Sequence, residues 1–227
     1  MPVGEVEIGN YDKKYFQSID KTNRFSSYQD EIKTLIKYLD LSRFSKILDI
    51  GCGTASPTYL IKKSTNSEVT GTDFEDFRLK TLKTKIPFVK SYSEELPFEE
   101  NTFDAAVSIH SFAHFTNPLK SLNEIYRILK PGGCFGLITP NNDFNRCFTL
   151  FNKMGVIKYT KDPTVLNPQD KRSFLKLLCE SDFNNYKIDF KGDIPSFMAR
   201  ARPLFNMTNN FNIKKRLVSK MWKDDKY

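Results

Sequence analysis

The chain has 227 residues, 39% of them hydrophobic and 14% aromatic, enough for one α/β domain or two small ones with a well-filled core. No apolar run approaches the roughly 18 residues of a membrane span, and the start, Met1-Pro2-Val3-Gly4-Glu5, lacks the apolar stretch of a secretory signal. The formal net charge of +8 is skewed: residues 157–227 hold 15 Lys and Arg against 8 Asp and Glu, leaving the rest nearly neutral. Such a skew fits a solvated face or an acidic partner.

The first 26 residues are polar with scattered aromatics and read as a loose arm. Ser26 or Ser27 could cap a helix over Tyr28–Leu39, with Ile32, Leu35, Ile36 and Leu39 on one face. Ile47, Leu48 and Ile50 form a short run typical of a strand buried on both faces. Gly51 and Gly53 break it, and a helix follows from about Ser56 to Lys63. Val69–Thr72 reads as a second strand ending at Asp73, Phe74–Lys83 as a helix, and Pro87-Phe88-Val89 as a third strand. After a loop over Ser91–Asn101, Phe103–Ile109 is a fourth strand. Pro118–Leu129 is an amphipathic helix that Pro131-Gly132-Gly133 should end, and Phe135–Thr139 is a fifth strand.

Beyond Pro140 the pattern loosens. Asp143–Met154 reads as helical, with Phe144, Phe148 and Phe151 on one face as core. Asn167-Pro168-Gln169-Asp170 resembles a cap with Pro in the first helical position, opening a helix through Leu178. Tyr186–Phe190 and Phe197–Ala201 could form a terminal hairpin, and 205–227 a basic, partly helical tail. Strands alternating with helices indicate a doubly wound parallel sheet. The expected organisation is a single domain over 1–227: an arm or lid over 1–30, a core over 31–204 and the tail over 205–227.

The four cysteines, Cys52, Cys134, Cys147 and Cys179, form no C-x-x-C pair, and only His110 and His114 could join them. No metal site is expected, and reduced thiols in a cytoplasmic protein fit best.

Glycines after a buried strand let a backbone approach a ligand, and the helix start offers free N–H groups. The dinucleotide fingerprint needs a third glycine where this chain has Ser56. Asp49, two residues before Gly51, would repel a pyrophosphate by about 1–4 kcal/mol. It would favour a cation instead, and S-adenosylmethionine carries a sulfonium and an ammonium with no phosphate. Asp73, 24 residues on, can accept hydrogen bonds from ribose hydroxyls, with Phe74 against a purine face.

Four blocks stand in order: Ile47-Leu48-Asp49-Ile50-Gly51-Cys52-Gly53-Thr54; Thr70-Gly71-Thr72-Asp73; Glu94-Glu95-Leu96-Pro97-Phe98 with Asn101-Thr102-Phe103-Asp104; and Leu129-Lys130-Pro131-Gly132-Gly133. Together they resemble the class I S-adenosylmethionine-dependent methyltransferases, in the group built around small-molecule substrates. The resemblance implies a Rossmann-like, three-layer α/β/α fold with a seven-stranded sheet ordered 3-2-1-4-5-7-6, strand 7 antiparallel. It also implies that Asp49, Gly51, Cys52 and Gly53 hold the methionine end of the cofactor and Asp73 the ribose. Phe74 would lie beside the adenine, the Tyr92-Ser93 segment along its edge, and Ser108 and Ile109 along the methionine part. Relatives often carry an Asp or another small polar residue at the Tyr92 position. The third small position of the glycine motif is here Ala55.

A general base is needed only when the acceptor must lose a proton. His110 and His114, just after the fourth strand, are the candidates, and His110 is the better placed because strand-end side chains reach the crevice. Tyr11, Tyr15 and Phe25 could belong to a lid. The leading expectation is methyl transfer to a small molecule. One alternative is methylation of RNA or protein through the basic C-terminal region, including Lys214-Lys215-Arg216, although no stacking-aromatic module accompanies the charge. Another is a non-catalytic S-adenosylmethionine-binding protein, since fold does not fix function.

Overall fold

The computed structural model describes residues 24–140, 153, 165–191 and 216–223. Its centre is a seven-stranded sheet, β3-β2-β1-β4-β5-β7-β6. The strands are β1 (Lys46–Ile50), β2 (Glu68–Asp73), β3 (Phe88–Lys90), β4 (Phe103–Ile109), β5 (Leu129–Pro140), β6 (Asn185–Lys191) and β7 (Arg216–Trp222). The first five pair in parallel, and β7 runs antiparallel between β5 and β6. The expected strand order and the antiparallel strand 7 are both found.

Successive side chains of a strand face opposite ways, so the apolar runs feed two cores. Ile47, Ala105 and Val107 pack with Ile32, Leu35, Ile36 and Leu39 of α1 (Arg24–Leu39) and Ile61 of α2 (Ser56–Ser64). Leu48, Ile50, Ala106 and Phe135 pack on the other face with Leu122, Ile125 and Ile128 of α3 (Pro118–Ile128) and Phe174 and Leu178 of α4 (Lys171–Glu180). The result is three layers, α/β/α. Helix α1 lies so close to the sheet that a Cβ on Gly136 would stand 2.1 Å from Leu39 Cδ1. No helix among the described residues is long and apolar enough to cross a membrane.

Several boundaries differ from the sequence reading. Helix α1 starts at Arg24, not Tyr28. Phe74–Lys83 forms turns and not a helix, because stronger bonds claim its polar groups. Arg78 Nε and Nη2 grip the Asp76 carboxylate at 2.8 and 3.0 Å while Nη1 donates to the carbonyls of Lys83 and Ile86, and Leu79 N–H reaches Thr54 O. Helix α3 stops at Ile128, ahead of Pro131. The buried Lys223 ammonium caps it there, donating to the carbonyls of Tyr126 (3.1 Å) and Leu129 (2.8 Å). Pro131-Gly132-Gly133 lies inside β5, where the pairing with β4 slips between Phe103 and Ala105. Helix α4 is capped by Asp170, which exchanges hydrogen bonds with Ser173 in a capping box. Asn167 instead donates its amide to Phe115 O.

The largest departure is at the C-terminus. Arg216–Trp222, read as part of a tail, is β7, and it pairs with β6 and β5. Tyr11 and Tyr15, Cys147, the helix expected over Asp143–Met154 (of which only Lys153 is described) and the strand expected over Phe197–Ala201 lie outside the described residues.

The segment before α3 is tied down by one buried carboxylate. Glu94 Oε1 accepts from Thr116 Oγ1 at 2.7 Å and from Asn117 N–H at 2.9 Å, and Oε2 accepts from Ser93 Oγ at 3.0 Å. Burial raises its pKa, but these bonds outweigh burial and hold it below the ordinary value.

Candidate active site

The parallel strands β1, β2 and β4 bring Asp49, Asp73 and Ile109 to their carboxyl ends, the edge where open α/β sheets form their crevice. The turn after β1 is set by backbone bonds: Gly51 and Cys52 both donate to Thr72 O, at 2.8 and 3.0 Å. Gly51 has φ +73°, and a Cβ there would lie 2.4 Å from Ser111 Cβ. Ser111 Oγ in turn donates to Ile50 O at 2.7 Å and lies 2.6 Å from Ser108 Oγ.

Ala55, at the entry to α2, has φ +61°. A left-handed L-residue costs about 1–2 kcal/mol. Its buried methyl packs against Leu82 and Ile86, worth about 0.8 kcal/mol, and glycine would add about 0.5–1 kcal/mol of unfolded-state entropy. These terms offset, so Ala55→Gly should change stability by less than about 1 kcal/mol in urea melts. A loss above 2 kcal/mol would show that the methyl does more than fill space.

Asp49 is 1% exposed. Its Oδ2 accepts from Thr58 Oγ1 at 2.6 Å, and its Oδ1 is buried with no hydrogen-bond partner. Burial pushes its pKa up to about 7, partly opposed by the Thr58 bond and reinforced by the charge of Asp73. Asp73 accepts from Gly53 N–H and Phe74 N–H, both at 2.8 Å. Burial raises it to about 6 against those two bonds, and Glu75 adds to the rise. Burial and then the Asp49 charge raise the Cys52 thiol well above its ordinary value, so it stays protonated.

Both carboxyls titrate above the ordinary 3.8 when folded. Between about pH 4 and 7 the folded chain therefore holds protons that the unfolded chain has released. Stability of the ligand-free protein should fall as pH rises through that window and level off above it, with Asp49 alone contributing on the order of 4 kcal/mol. Asp76, Glu94, Asp104 and Glu124 are held low and act oppositely, their contribution being lost below about pH 4. Thermal melts should find a maximum near pH 4–5, and a rise in stability from pH 5 to 8 would contradict the assignment.

Phe74 and Tyr92 stand with ring planes 15° apart and centroids 6.3 Å apart, and Tyr92 is 53% exposed. Ser93 does not turn its hydroxyl to the crevice, since Oγ lies 2.9 Å from Ser121 Oγ and bonds Glu94. Ser108 and Ile109 are buried at the end of β4. His110 follows with φ +60°, its N–H on Ile138 O at 2.8 Å and its Nε2 3.0 Å from Glu31 Oε2 on α1. His114 ends the short 3-10 turn Phe112–His114, its N–H on Ser111 O at 2.9 Å. Glu31, Thr58 and Ser111 were not marked in the sequence: they meet their partners across 79, 9 and 61 residues, and only the Thr58 spacing, within one βα unit, gave a local signal. Among the described residues no group of three or more His, Cys, Asp or Glu is placed to hold a metal.

A family model described as a methyltransferase domain matches residues 48–137. A cycloartenol-C-24-methyltransferase of Oryza sativa subsp. japonica is 36% identical over 101 residues, covering 40% of this chain and 29% of that protein; the chain thus spans under a third of that relative's length. A demethylmenaquinone methyltransferase of Staphylococcus saprophyticus is 29% identical over 211 residues, 79% of this chain and 91% of that one. The crystal structure of an S-adenosylmethionine-dependent methyltransferase from Archaeoglobus fulgidus superposes with a TM-score of 0.66 at 19% identity, over 92% of this chain and 99% of that one.

Proposed function

We propose that the chain is a class I S-adenosylmethionine-dependent methyltransferase that transfers a methyl group from S-adenosylmethionine to a small-molecule acceptor, a reading supported by the methyltransferase-domain match over residues 48–137. The observation that carries this reading is Asp49 Oδ1, a buried carboxylate oxygen without a partner beside a glycine turn. Leaving such an atom unsatisfied is costly, and an ammonium supplies the donor and the charge it lacks. Thr58 fixes the other oxygen and so the direction of the first.

In this reading Gly51, Cys52 and Gly53 hold the methionine end beside Asp49. Asp73 already accepts two backbone N–H bonds and has lone pairs left for ribose hydroxyls. Phe74, Tyr92 and Ser93 border the adenine, and Ser108 and Ile109 the methionine part. The donor supplies an electrophilic methyl on a sulfonium, and positioning its acceptor is the main task left to the protein. His110 takes the proton of an acceptor that must lose one, its ring held by Glu31, with His114 as the second candidate. For such an acceptor His110→Ala should lower turnover and leave cofactor binding intact; unchanged turnover would remove His110 from the role.

The names of the two relatives, one acting on cycloartenol and one on demethylmenaquinone, support a small-molecule acceptor. A cytoplasmic setting belongs to the same proposal, supported by the free thiols Cys52, Cys134 and Cys179. Calorimetric titration with S-adenosylmethionine and S-adenosylhomocysteine tests the reading. Micromolar binding of both is expected, and no binding at millimolar ligand would overturn it.

A further inference from the structure

The segment beside Asp73 accounts for its polar side chains. Ser91 Oγ lies 2.6 Å from Thr72 Oγ1. The Ser93 hydroxyl is shared between Ser121 and Glu94. Both oxygens of Glu94 accept hydrogen bonds from the protein, and Glu95 pairs with Lys120 at 2.8 Å. From Ser91 to Glu95, every side-chain hydroxyl and carboxylate but the phenol of Tyr92 is thus engaged within the protein.

What this segment does offer is flat and apolar. Ser91 N–H donates to Asp73 O at 2.9 Å, which pins Tyr92 next to Phe74. Phe74 is steadied edge-on by Phe77, with centroids 5.2 Å apart. Tyr92 then lies nearly parallel to it at 6.3 Å, more than half exposed. Water is a poor neighbour for so much aromatic surface, and a heterocycle is a good one, because every base has a π-face.

We propose that this chain holds the purine of its cofactor by a face, stacked against the aromatic surface of Phe74 and Tyr92, and does not read its 6-amino group, so that cofactors altered at that position are accepted. This rests on the S-adenosylmethionine reading above. A face-stacked ring is held by area and polarisability, which a change at the exocyclic position scarcely alters, whereas a hydrogen-bonded amine is discriminated strongly.

The test uses the wild-type chain and calorimetric titration with S-adenosylhomocysteine, with its N6-methyl derivative, and with the purine derivative bearing hydrogen in place of the amino group. Both derivatives keep the ring nitrogen next to the altered carbon as an acceptor. They should bind within about threefold of the parent. Tyr92→Phe should bind the parent within about twofold of wild type, and Tyr92→Ala about five- to tenfold more weakly, the scale of one lost stacking contact. Tyr92→Asp supplies an acceptor, and should bind the parent at least fivefold more tightly than the hydrogen derivative. Tyr92 is exposed, so these variants should fold, and their melting temperatures check it. A tenfold or greater loss for the derivatives in the wild type, or unchanged affinity in Tyr92→Ala, would overturn the stacking proposal alone. Failure of the wild type to bind S-adenosylhomocysteine at all would overturn the cofactor reading and the stacking proposal with it.

Discussion

Asp49→Asn is expected to make the ligand-free protein more stable while making it bind S-adenosylhomocysteine about 100-fold more weakly. The two effects have one cause. In the wild type a carboxylate is 1% exposed, bonded on one oxygen by Thr58 and unpartnered on the other. Above pH 7 it must be held ionised against burial that pushes its pKa up to about 7. The amide is isosteric and neutral, so that penalty disappears, though one buried polar atom is still poorly satisfied. A net gain on the order of 2 kcal/mol at pH 8 corresponds to about 4–8 °C in melting temperature for a chain of this size. Binding suffers because truncating one partner of a buried charged pair costs about 2–5 kcal/mol. Melting curves and titrations on the same preparations check both halves. A destabilised Asp49→Asn would mean that the carboxylate is structural.

Gly51→Ala is the second large effect, and it acts on the backbone. At φ +73° an L-residue carries about 1–2 kcal/mol of strain. Its Cβ would also stand 2.4 Å from Ser111 Cβ and 2.6 Å from Ser111 Oγ, and overpacking adds about 1–3 kcal/mol. Ser111 cannot simply swing away, since its hydroxyl ties Ile50 O to Ser108. A loss of about 2–5 kcal/mol is therefore expected from the two terms together, with ligand binding abolished as the turn shifts. Adding Ser111→Gly to Gly51→Ala removes the clash and leaves the strain, so the pair should recover a good part of the lost stability relative to Ser111→Gly alone. Full additivity of the two substitutions would contradict the contact.

How much of this could be read from residues alone depended on whether the signal was local. Phe103–Ile109 was legible to the residue because a buried parallel strand is a continuous apolar run. Asp49, the glycines and Asp73 were legible because a βαβ unit puts them within 25 residues at fixed strand ends. The failures lie where distant groups decide. Phe74–Lys83 has helix-compatible residues, but Arg78 spends its guanidinium on Asp76 and on the carbonyls of Lys83 and Ile86, and Leu79 N–H bonds Thr54 O where a helix would turn it to Glu75 O. The sequence charges of Lys214-Lys215-Arg216 hid the start of β7, a strand whose Ser219 and Met221 are fully buried, and its partners in β5 lie some 80 residues away. Glu31 beside His110, and Lys223 capping α3, are contacts across 79 and roughly 95 residues, which no local period encodes.

On the proposed function the site works as an electrostatic trap. Asp49 and Asp73 lie at the ends of adjacent strands and each is raised by burial. A ligand cationic at one end and rich in hydroxyl donors further along relieves both, and ionises them as it binds. Binding near pH 6.5 should thus release protons, in step with the stability lost between pH 4 and 7 by the empty protein.

The most direct test of Asp49 as the cation's partner is a ligand-truncation cycle. S-adenosylhomocysteine and 5′-methylthioadenosine share the nucleoside and differ in the amino acid end, so their affinity ratio reports that end, including the ammonium assigned to Asp49. Wild type should prefer the former by at least about 30-fold, the low end of a buried charged contact. Asp49→Asn should bring the ratio within about threefold while binding 5′-methylthioadenosine as wild type does. Equal weakening of both ligands by Asp49→Asn, or an unchanged ratio, would contradict the account.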